Sequence, residues 1–243
     1  MRALVTGGGR GLGQAMAVAL AQAGAAVALT SRTVSELDDT VNMIGGSAQA
    51  VPADLSDRKQ VEKIVDESEA RLGGGIDIVL HAAGVTHRQP AEEFDAEQWD
   101  RVLEINLTAP FRLSQAVARR QIQSAKEGSH LFIGSLASRL SVPFATAYTA
   151  SKSGIYGVVR NLGAEWGPHG IRVNGIGPGY FRTKLTEAVF NDEKRVSAMT
   201  PRIPLGRFGA AEDLAGAAVF LSSPAASYIT GQMLMVDGGW CAT

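Results

Sequence analysis

The chain is expected to fold as an α/β protein, a doubly wound parallel β-sheet with helices on both faces, in one domain spanning residues 1–243. Three observations carry that expectation. Short apolar runs alternate with helical stretches from end to end, the pattern of repeated strand–helix–strand units. A glycine-rich turn joins the first run to the first helix. The residues with chemical potential fall where strands would end, and parallel sheets bind ligands there. At 243 residues, with 45% apolar and 19% charged, the chain can bury one substantial core.

Ala3-Leu4-Val5 reads as the first strand. Thr6-Gly7-Gly8-Gly9-Arg10-Gly11-Leu12-Gly13 then turns into an Ala-rich helix that runs to about Ala23 and is capped by Gly24. Such a turn lets a pyrophosphate approach backbone N–H groups and the positive end of the helix dipole. Its spacing is not the G-x-G-x-x-G fingerprint, and glycine turns also form for packing alone. The second strand covers 26–30, and its end, Thr30-Ser31-Arg32, carries no acid for a ribose 2′-hydroxyl. Arg32, with Ser31 and Arg10, can instead meet a 2′-phosphate, which favours NADP over NAD. The plain alternative is a solvated loop charge.

A helix over 34–44 ends at Gly45-Gly46, and the third strand covers 48–52. Asp54 follows; it can accept from an adenine amino group or cap the next helix, expected at 58–72. The fourth strand, 76–81, runs into Ala82-Ala83-Gly84, small residues that let a ligand lie against the backbone. A short helix is expected over 94–101. Asn106 lies within or at the start of a longer helix reaching about residue 125, as either a local kink or a polar relay.

The fifth strand, 129–135, ends in Ser135, and a helix over 147–166 carries Tyr148 and Lys152. These two are one turn apart on one face. An ammonium beside a phenol favours the phenolate, so Lys152 is expected to lower the Tyr148 pKa from about 10. A phenol poised that way can give or take a proton when a carbonyl and an alcohol interconvert. Ser135 can bond the same oxygen. A lone Y-x-x-x-K is commonly a surface pair and gains weight only beside a nicotinamide site. Gly154 and Gly157 are expected to let this helix pack close to the sheet. A sixth strand, 171–176, ends in Gly177-Pro178-Gly179, and a last strand, 233–236, precedes Asp237-Gly238-Gly239.

The formal charge of -1 gives no sign of a nucleic-acid or membrane surface. No apolar run approaches the roughly 20 residues of a membrane span; the stretch 15–28 is broken by Gln22 and Gly24. No secretory signal is expected, since the first strand begins almost at Met1. A single cysteine, Cys241, excludes an internal disulfide and suits a reducing cytosol.

Taken together, these residues resemble the short-chain dehydrogenase/reductase family over essentially the whole chain, with its Rossmann-like fold. Thr6-Gly7-x-x-x-Gly11-x-Gly13 is similar to the family's cofactor turn, and Asp54 to its adenine-contacting acid. Tyr148-Thr149-Ala150-Ser151-Lys152, with Ser135 thirteen residues before Tyr148, resembles the catalytic motif, and Asn106 its fourth member. Pro178, Gly179 and Thr183 resemble the segment that borders the nicotinamide. The resemblance implies cofactor contacts from Thr6, Gly7, Gly9, Arg10, Gly11, Leu12, Gly13, Ser31, Arg32, Asp54, Leu55, Ala82, Ala83, Gly84, Tyr148, Lys152, Pro178, Gly179 and Thr183. It implies that Tyr148 is the acid/base, that Lys152 lowers its pKa and binds the nicotinamide ribose, that Ser135 polarises the substrate oxygen, and that Asn106 holds a water relay. Hydride passes directly to or from the nicotinamide, so no metal is expected. One departure stands out: His81-Ala82-Ala83-Gly84 replaces the family's N-N-A-G or N-A-A-G, and His81 is expected to brace the sheet through one ring nitrogen.

In the family, the region corresponding to 180–208 forms a substrate lid. Here it holds Arg182, Lys184, Lys194, Arg195, Arg202 and Arg207, with Arg88 and Arg139 near other strand ends. Most of these read as solvated charges, and one or two can bind a substrate carboxylate or phosphate. Residues 106–118, and 202–207 through 237–240, are similar to sugar-acid dehydrogenases acting on gluconate or deoxygluconate. The same regions resemble 3-oxoacyl-[acyl-carrier-protein] reductases. A non-catalytic NADP-binding regulator is a third reading, one that would typically lack Tyr148 or Lys152. The resemblance further implies a cytoplasmic homotetramer acting on a small carbonyl or alcohol.

Overall fold

The computed structural model describes residues 1–242. The strands are β1 (Arg2–Thr6), β2 (Ala26–Thr30), β3 (Ala48–Ala50), β4 (Ile78–His81), β5 (Gly128–Ile133), β6 (Ile171–Pro178) and β7 (Met233–Val236). The helices are α1 (Gly11–Gln22), α2 (Val34–Ile44), α3 (Gln60–Leu72), α4 (Ala96–Leu103), α5 (Ala109–Gln123), α6 (Thr146–Trp166), α7 (Glu187–Phe190), α8 (Glu193–Met199) and α9 (Ala215–Ser222).

Side chains that alternate along each strand divide between two faces. Ala3 and Val5 pack under α1, α2 and α9 with Met16, Leu37 and Ala218. Leu4 and Val79 face the other way, onto Ile64 of α3 and Leu113 of α5. Phe132 and Val173 meet Ile155 and Val159 of α6 on that second face. Every strand pairing is parallel, and the order is β3-β2-β1-β4-β5-β6-β7. The order reverses between β1 and β4, which opens a crevice at their carboxyl ends.

Several boundaries differ from those expected. β3 stops at Ala50, although Val51 N–H still donates to the Leu29 carbonyl at 2.8 Å. β5 stops at Ile133, so Ser135 lies in a turn and not on the strand. β6 runs on through Pro178, which pairs in register with Val236. α3 begins at Gln60, because Asp57 accepts from Lys59 N–H and from the Gln60 amide at 3.0 Å each. α4 begins at Ala96, where the Asp95 carboxylate accepts from Gln98 N–H at 2.8 Å. Gly154 gives room to Leu107, whose Cδ2 would lie 2.9 Å from an added Cβ. Gly157 faces open space and plays no packing part.

α4 and α5 are joined by a π turn, Glu104–Thr108, in which Ala109 N–H bonds the Glu104 carbonyl five residues back. Pro110 explains it. Proline has no N–H to offer Asn106, four residues earlier, and its ring crowds that carbonyl. The helix passes the point by widening for one turn.

His81 closes β4 on the face covered by α5. Its Nε2 lies 2.7 Å from Ser114 Oγ, and Ser114 Oγ lies 2.9 Å from His130 Nδ1. His130 Nε2 meets Gln121 Oε1 at 3.0 Å, and the Gln121 amide donates to the Ile76 carbonyl at 3.0 Å. None of the four side chains is more than 3% exposed. A carbonyl only accepts, and this sets every donor in the row. Gln121 turns its NH2 to Ile76 and its oxygen to His130. His130 therefore carries its proton on Nε2, Ser114 donates to His130, and His81 donates to Ser114. The chain thus pins α5 to β4 and β5, and His81 braces the sheet through one ring nitrogen. His81 Nδ1 is left bare and without a hydrogen-bond partner.

Burial holds both rings neutral. It pushes His130 down to about 3, and it carries His81 well below its ordinary value. Both folded values lie below the unfolded value of about 6.5, so the stabilisation is complete above that pH. It is lost as pH falls, because the unfolded chain binds protons that the fold refuses. In urea titrations, each histidine is expected to contribute a fall of about 1.4 kcal/mol per pH unit between about pH 6 and 5. His130→Gln is expected to flatten that slope, and Ser114→Ala to lose about 2–4 kcal/mol at pH 7.5 by stranding two ring nitrogens.

Candidate active site

The crevice between β1 and β4 opens into a cleft of about 630 Å³. One end is built by glycines. Gly7 has φ +68°, and a Cβ there would stand 2.7 Å from Ala83 N; a Cβ on Gly13 would stand 2.2 Å from the Gly7 carbonyl oxygen. Side chains are excluded at both positions, so backbone lies directly on backbone. α1 thereby presents its first turn to the cleft, with no side-chain cap and no acid in that turn. Free N–H groups and the positive end of a helix dipole suit a pyrophosphate. Gly9, Arg10, Gly11, Leu12, Ser31, Arg32, Asp54, Leu55, Ala82, Ala83 and Gly84 line the same cleft.

Two expected site residues stand behind its wall. Thr6 is fully buried, and its hydroxyl accepts from Ala83 N–H at 3.2 Å, which holds the 82–84 segment to β1. Asn106 is 1% exposed. Its Oδ1 accepts from Val85 N–H at 2.8 Å, and its amide donates to the Val85 carbonyl at 2.9 Å and to Ser151 Oγ at 3.1 Å. Asn106 thus sits in a widened turn and makes local hydrogen bonds. Asp54 does not cap α3. Its Oδ1 accepts from Ser56 N–H and Ser56 Oγ at 2.9 and 2.8 Å, and the residue lines the cleft.

The other end holds Ser135, Tyr148 and Lys152. Ser135 caps a short turn, its Oγ accepting from Ala137 N–H at 3.1 Å, and it lies beside the Tyr148 phenol. Lys152 is 5% exposed, and its ammonium donates to the Ile133 carbonyl at 2.7 Å. That ammonium lies 5.7 Å from the centre of the Tyr148 ring. The net shift of the Tyr148 phenol runs upward, opposite to the one expected from Lys152 alone. Burial dominates and raises the phenol above its usual range, opposed by the Ser135 hydroxyl and the positive Arg88. Burial likewise lowers Lys152 to about 8. Desolvation thus moves each group toward its uncharged form, the phenol upward and the ammonium downward.

Pro178, Gly179 and Thr183 line the cleft beside these groups. Of the basic residues in 180–208, Lys184 lines it too. Arg182 stacks on Phe190 at 4.6 Å, Arg202 stacks on Trp240 at 4.3 Å, and Arg207 pairs with Asp213. Arg139 turns to Tyr156. Arg88 is exposed, acts electrostatically on Tyr148, and has no acidic partner among the described residues.

The expected list omits Glu36, the Ile133 carbonyl and Thr186, all at the cleft. Thr33-Val34-Ser35-Glu36 has the spacing of a helix capping box, which disguises Glu36. The Thr33 side chain makes no cap bond, and Glu36 turns to Arg10 instead. No cluster of three or more metal-ligating side chains occurs among the described residues, and none of their helices is long and apolar enough to cross a membrane. The geometry provides a phosphate cradle at one end of a cleft and a proton-transfer group at the other.

Comparison with known proteins agrees with this arrangement. The family model described as enoyl-(acyl carrier protein) reductase matches residues 7–241. Gluconate 5-dehydrogenase of Gluconobacter oxydans (strain 621H) is 41% identical over 241 residues, covering 98% of this chain and 93% of that protein. A crystal structure of a putative short-chain alcohol dehydrogenase from Sinorhizobium meliloti 1021 superposes with a TM-score of 0.96 at 43% identity, covering 100% of this chain and 96% of that one. A gluconate 5-dehydrogenase from Burkholderia cenocepacia J2315, solved in complex with NADP and tartrate, superposes with a TM-score of 0.94 at 37% identity, covering 100% and 95%.

Two glycine substitutions separate the cradle from ordinary helix. Gly13→Ala is expected to cost about 1–3 kcal/mol, since its methyl group must displace the Gly7 carbonyl. Gly157→Ala, in an open position on α6, is expected to gain about 0.5–1 kcal/mol. Chemical denaturation of the two variants beside the parent checks both.

Proposed function

Because the chain belongs to the short-chain dehydrogenase/reductase family, we propose that it moves a hydride between a nicotinamide nucleotide and a sugar acid of the gluconate or deoxygluconate kind. NADP is preferred over NAD in this reading, supported by Arg10, Ser31 and Arg32 at the cleft and by the relative solved with NADP. The observation that carries the reading is that one cleft joins the α1 cradle to Ser135, Tyr148 and Lys152.

When bound, the nicotinamide supplies or accepts the hydride. The residues of the chain handle the proton and the substrate. Burial keeps the Tyr148 phenol protonated at neutral pH, ready to protonate a carbonyl oxygen; in the oxidative direction the phenolate must form first. Ser135 shares that oxygen site and orients the substrate. Lys152, anchored on Ile133, places its ammonium beside the phenol and the ribose. Asn106 ties Val85 to Ser151, and Ser151 donates to the Tyr148 carbonyl at 2.7 Å, so the first turn of α6 is held in place. Asn106 also stands where a water relay would start. Exposed Arg88 is the cation best placed for a substrate carboxylate, and residues 180–208 act as the lid of a single catalytic domain. A cytoplasmic homotetramer completes the reading, supported by the lone Cys241 and by the exposed Tyr228 and Leu234 near the sheet edge.

The second reading is a 3-oxoacyl-[acyl-carrier-protein] reductase, which reduces the 3-ketone of a carrier-bound thioester; the family model's description also names an acyl-carrier substrate, though an enoyl one. A rate survey with NADPH and NADH against keto sugar acids and an acetoacetyl thioester separates the two. Sugar-acid turnover is expected. Tyr148→Phe is expected to lower kcat by about 10²–10⁴-fold while nucleotide binding persists. Arg88→Ala is expected to raise KM for the sugar acid about tenfold or more, with little change for an uncharged ketone. Turnover of the thioester alone would move the protein to the second reading. Nucleotide binding without any turnover would leave an untested substrate or a non-catalytic binder, which a wider substrate panel separates. Oxidation should quicken and reduction slow only as pH rises to and beyond the usual phenol value of about 10, because Tyr148 keeps its proton below it.

A further inference from the structure

At the adenosine end of the cleft, Arg10 does not stand free. Its guanidinium donates to Glu36 Oε1 at 3.1 Å, with the two side chains 52% and 31% exposed. Glu36 comes from the first turn of α2, and its position there is fixed from two sides. Thr40, fully buried, has its hydroxyl 3.0 Å from the Glu36 carbonyl and 3.2 Å from the Gly9 carbonyl. The Gln14 amide donates to that same hydroxyl at 2.8 Å. Gly9 lacks the Cβ that would stand 3.0 Å from Glu36 Cβ and 3.1 Å from Ser31 Oγ, so the acid can crowd in beside Ser31. Glu36, Arg10, Ser31 and Arg32 all line the cleft.

We propose that Glu36 is a specificity residue for the nucleotide. It occupies Arg10 as a counter-ion and places a negative charge beside the position of a 2′-phosphate. The inference rests on the reading of this cleft as an NADP or NAD site. A 2′-phosphate must draw Arg10 away from Glu36 and accept a carboxylate as neighbour, and like charges at this range repel. A 2′-hydroxyl meets neither obstacle, and the carboxylate can accept a hydrogen bond from it. The chain therefore carries arginines that favour the phosphate and an acid that restrains them, which keeps its preference for NADP moderate and sensitive to salt.

Calorimetric titration of NADPH and NADH into the full-length protein tests this without reference to substrate. Glu36→Gln keeps the shape and removes the charge. It is expected to raise the preference for NADPH, as the ratio of the two dissociation constants, by about three- to tenfold at low salt. Arg10→Met is expected to lower the preference, and in its background Glu36→Gln is expected to do less. A thermal melt of each variant reports whether the fold is intact. An unchanged or reduced preference in a folded Glu36→Gln protein would overturn the inference alone. Parent protein that binds neither nucleotide would overturn the nucleotide reading itself, and the inference with it.

Discussion

The cofactor end of this molecule depends on an absent atom. Gly13 brings α1 so close to Gly7 that a methyl group would reach within 2.2 Å of its carbonyl oxygen. That contact seats the helix on the end of β1, aims its uncapped first turn into the crevice, and leaves the Gly7 backbone against Ala83. Thr6 then ties Ala83 to the same strand. Strand, turn, helix and the wall of the cleft are thus one rigid unit, set by backbone approach more than by side-chain packing.

At the far end the governing quantity is desolvation. Lys152 is buried and Tyr148 half-buried, and each is moved toward its uncharged form. The ammonium does not ionise the phenol in advance. It is held on the Ile133 carbonyl, beside the ring, where it favours negative charge when that charge arises. Asn106 and Ser151 fix the distance between the wall and α6, so the proton-transfer group is placed by a buried polar clamp.

The sheet was legible because its strands are short, continuous apolar runs, and the cradle and the Tyr148–Lys152 pair were legible because their members are close in sequence. What escaped reading depends on distance or on disguise. The row from His81 through Ser114 and His130 to Gln121 draws on β4, α5 and β5, so no local spacing announces it. Glu36 wore the spacing of a helix cap. Ser135 reads as the end of a strand because the apolar run before it gives no sign of ending at Ile133. The upward shift of Tyr148 is not legible, because residue spacing reveals proximity and says nothing of burial. The π turn did have a signal: Pro110 lies four residues after Asn106, where a helix needs an N–H.

The row of hydrogen bonds between His81 and Ile76 runs in one direction. Its protons cannot shift singly, since reversing one donor leaves two like groups facing each other. They meet water only when α5 lifts from β4 and β5, and α5 is the helix that continues the π turn carrying Asn106. The exchange rate of the His130 ring proton is therefore a clock for the opening of that helix, read from a nucleus far from the cleft yet linked to its back wall.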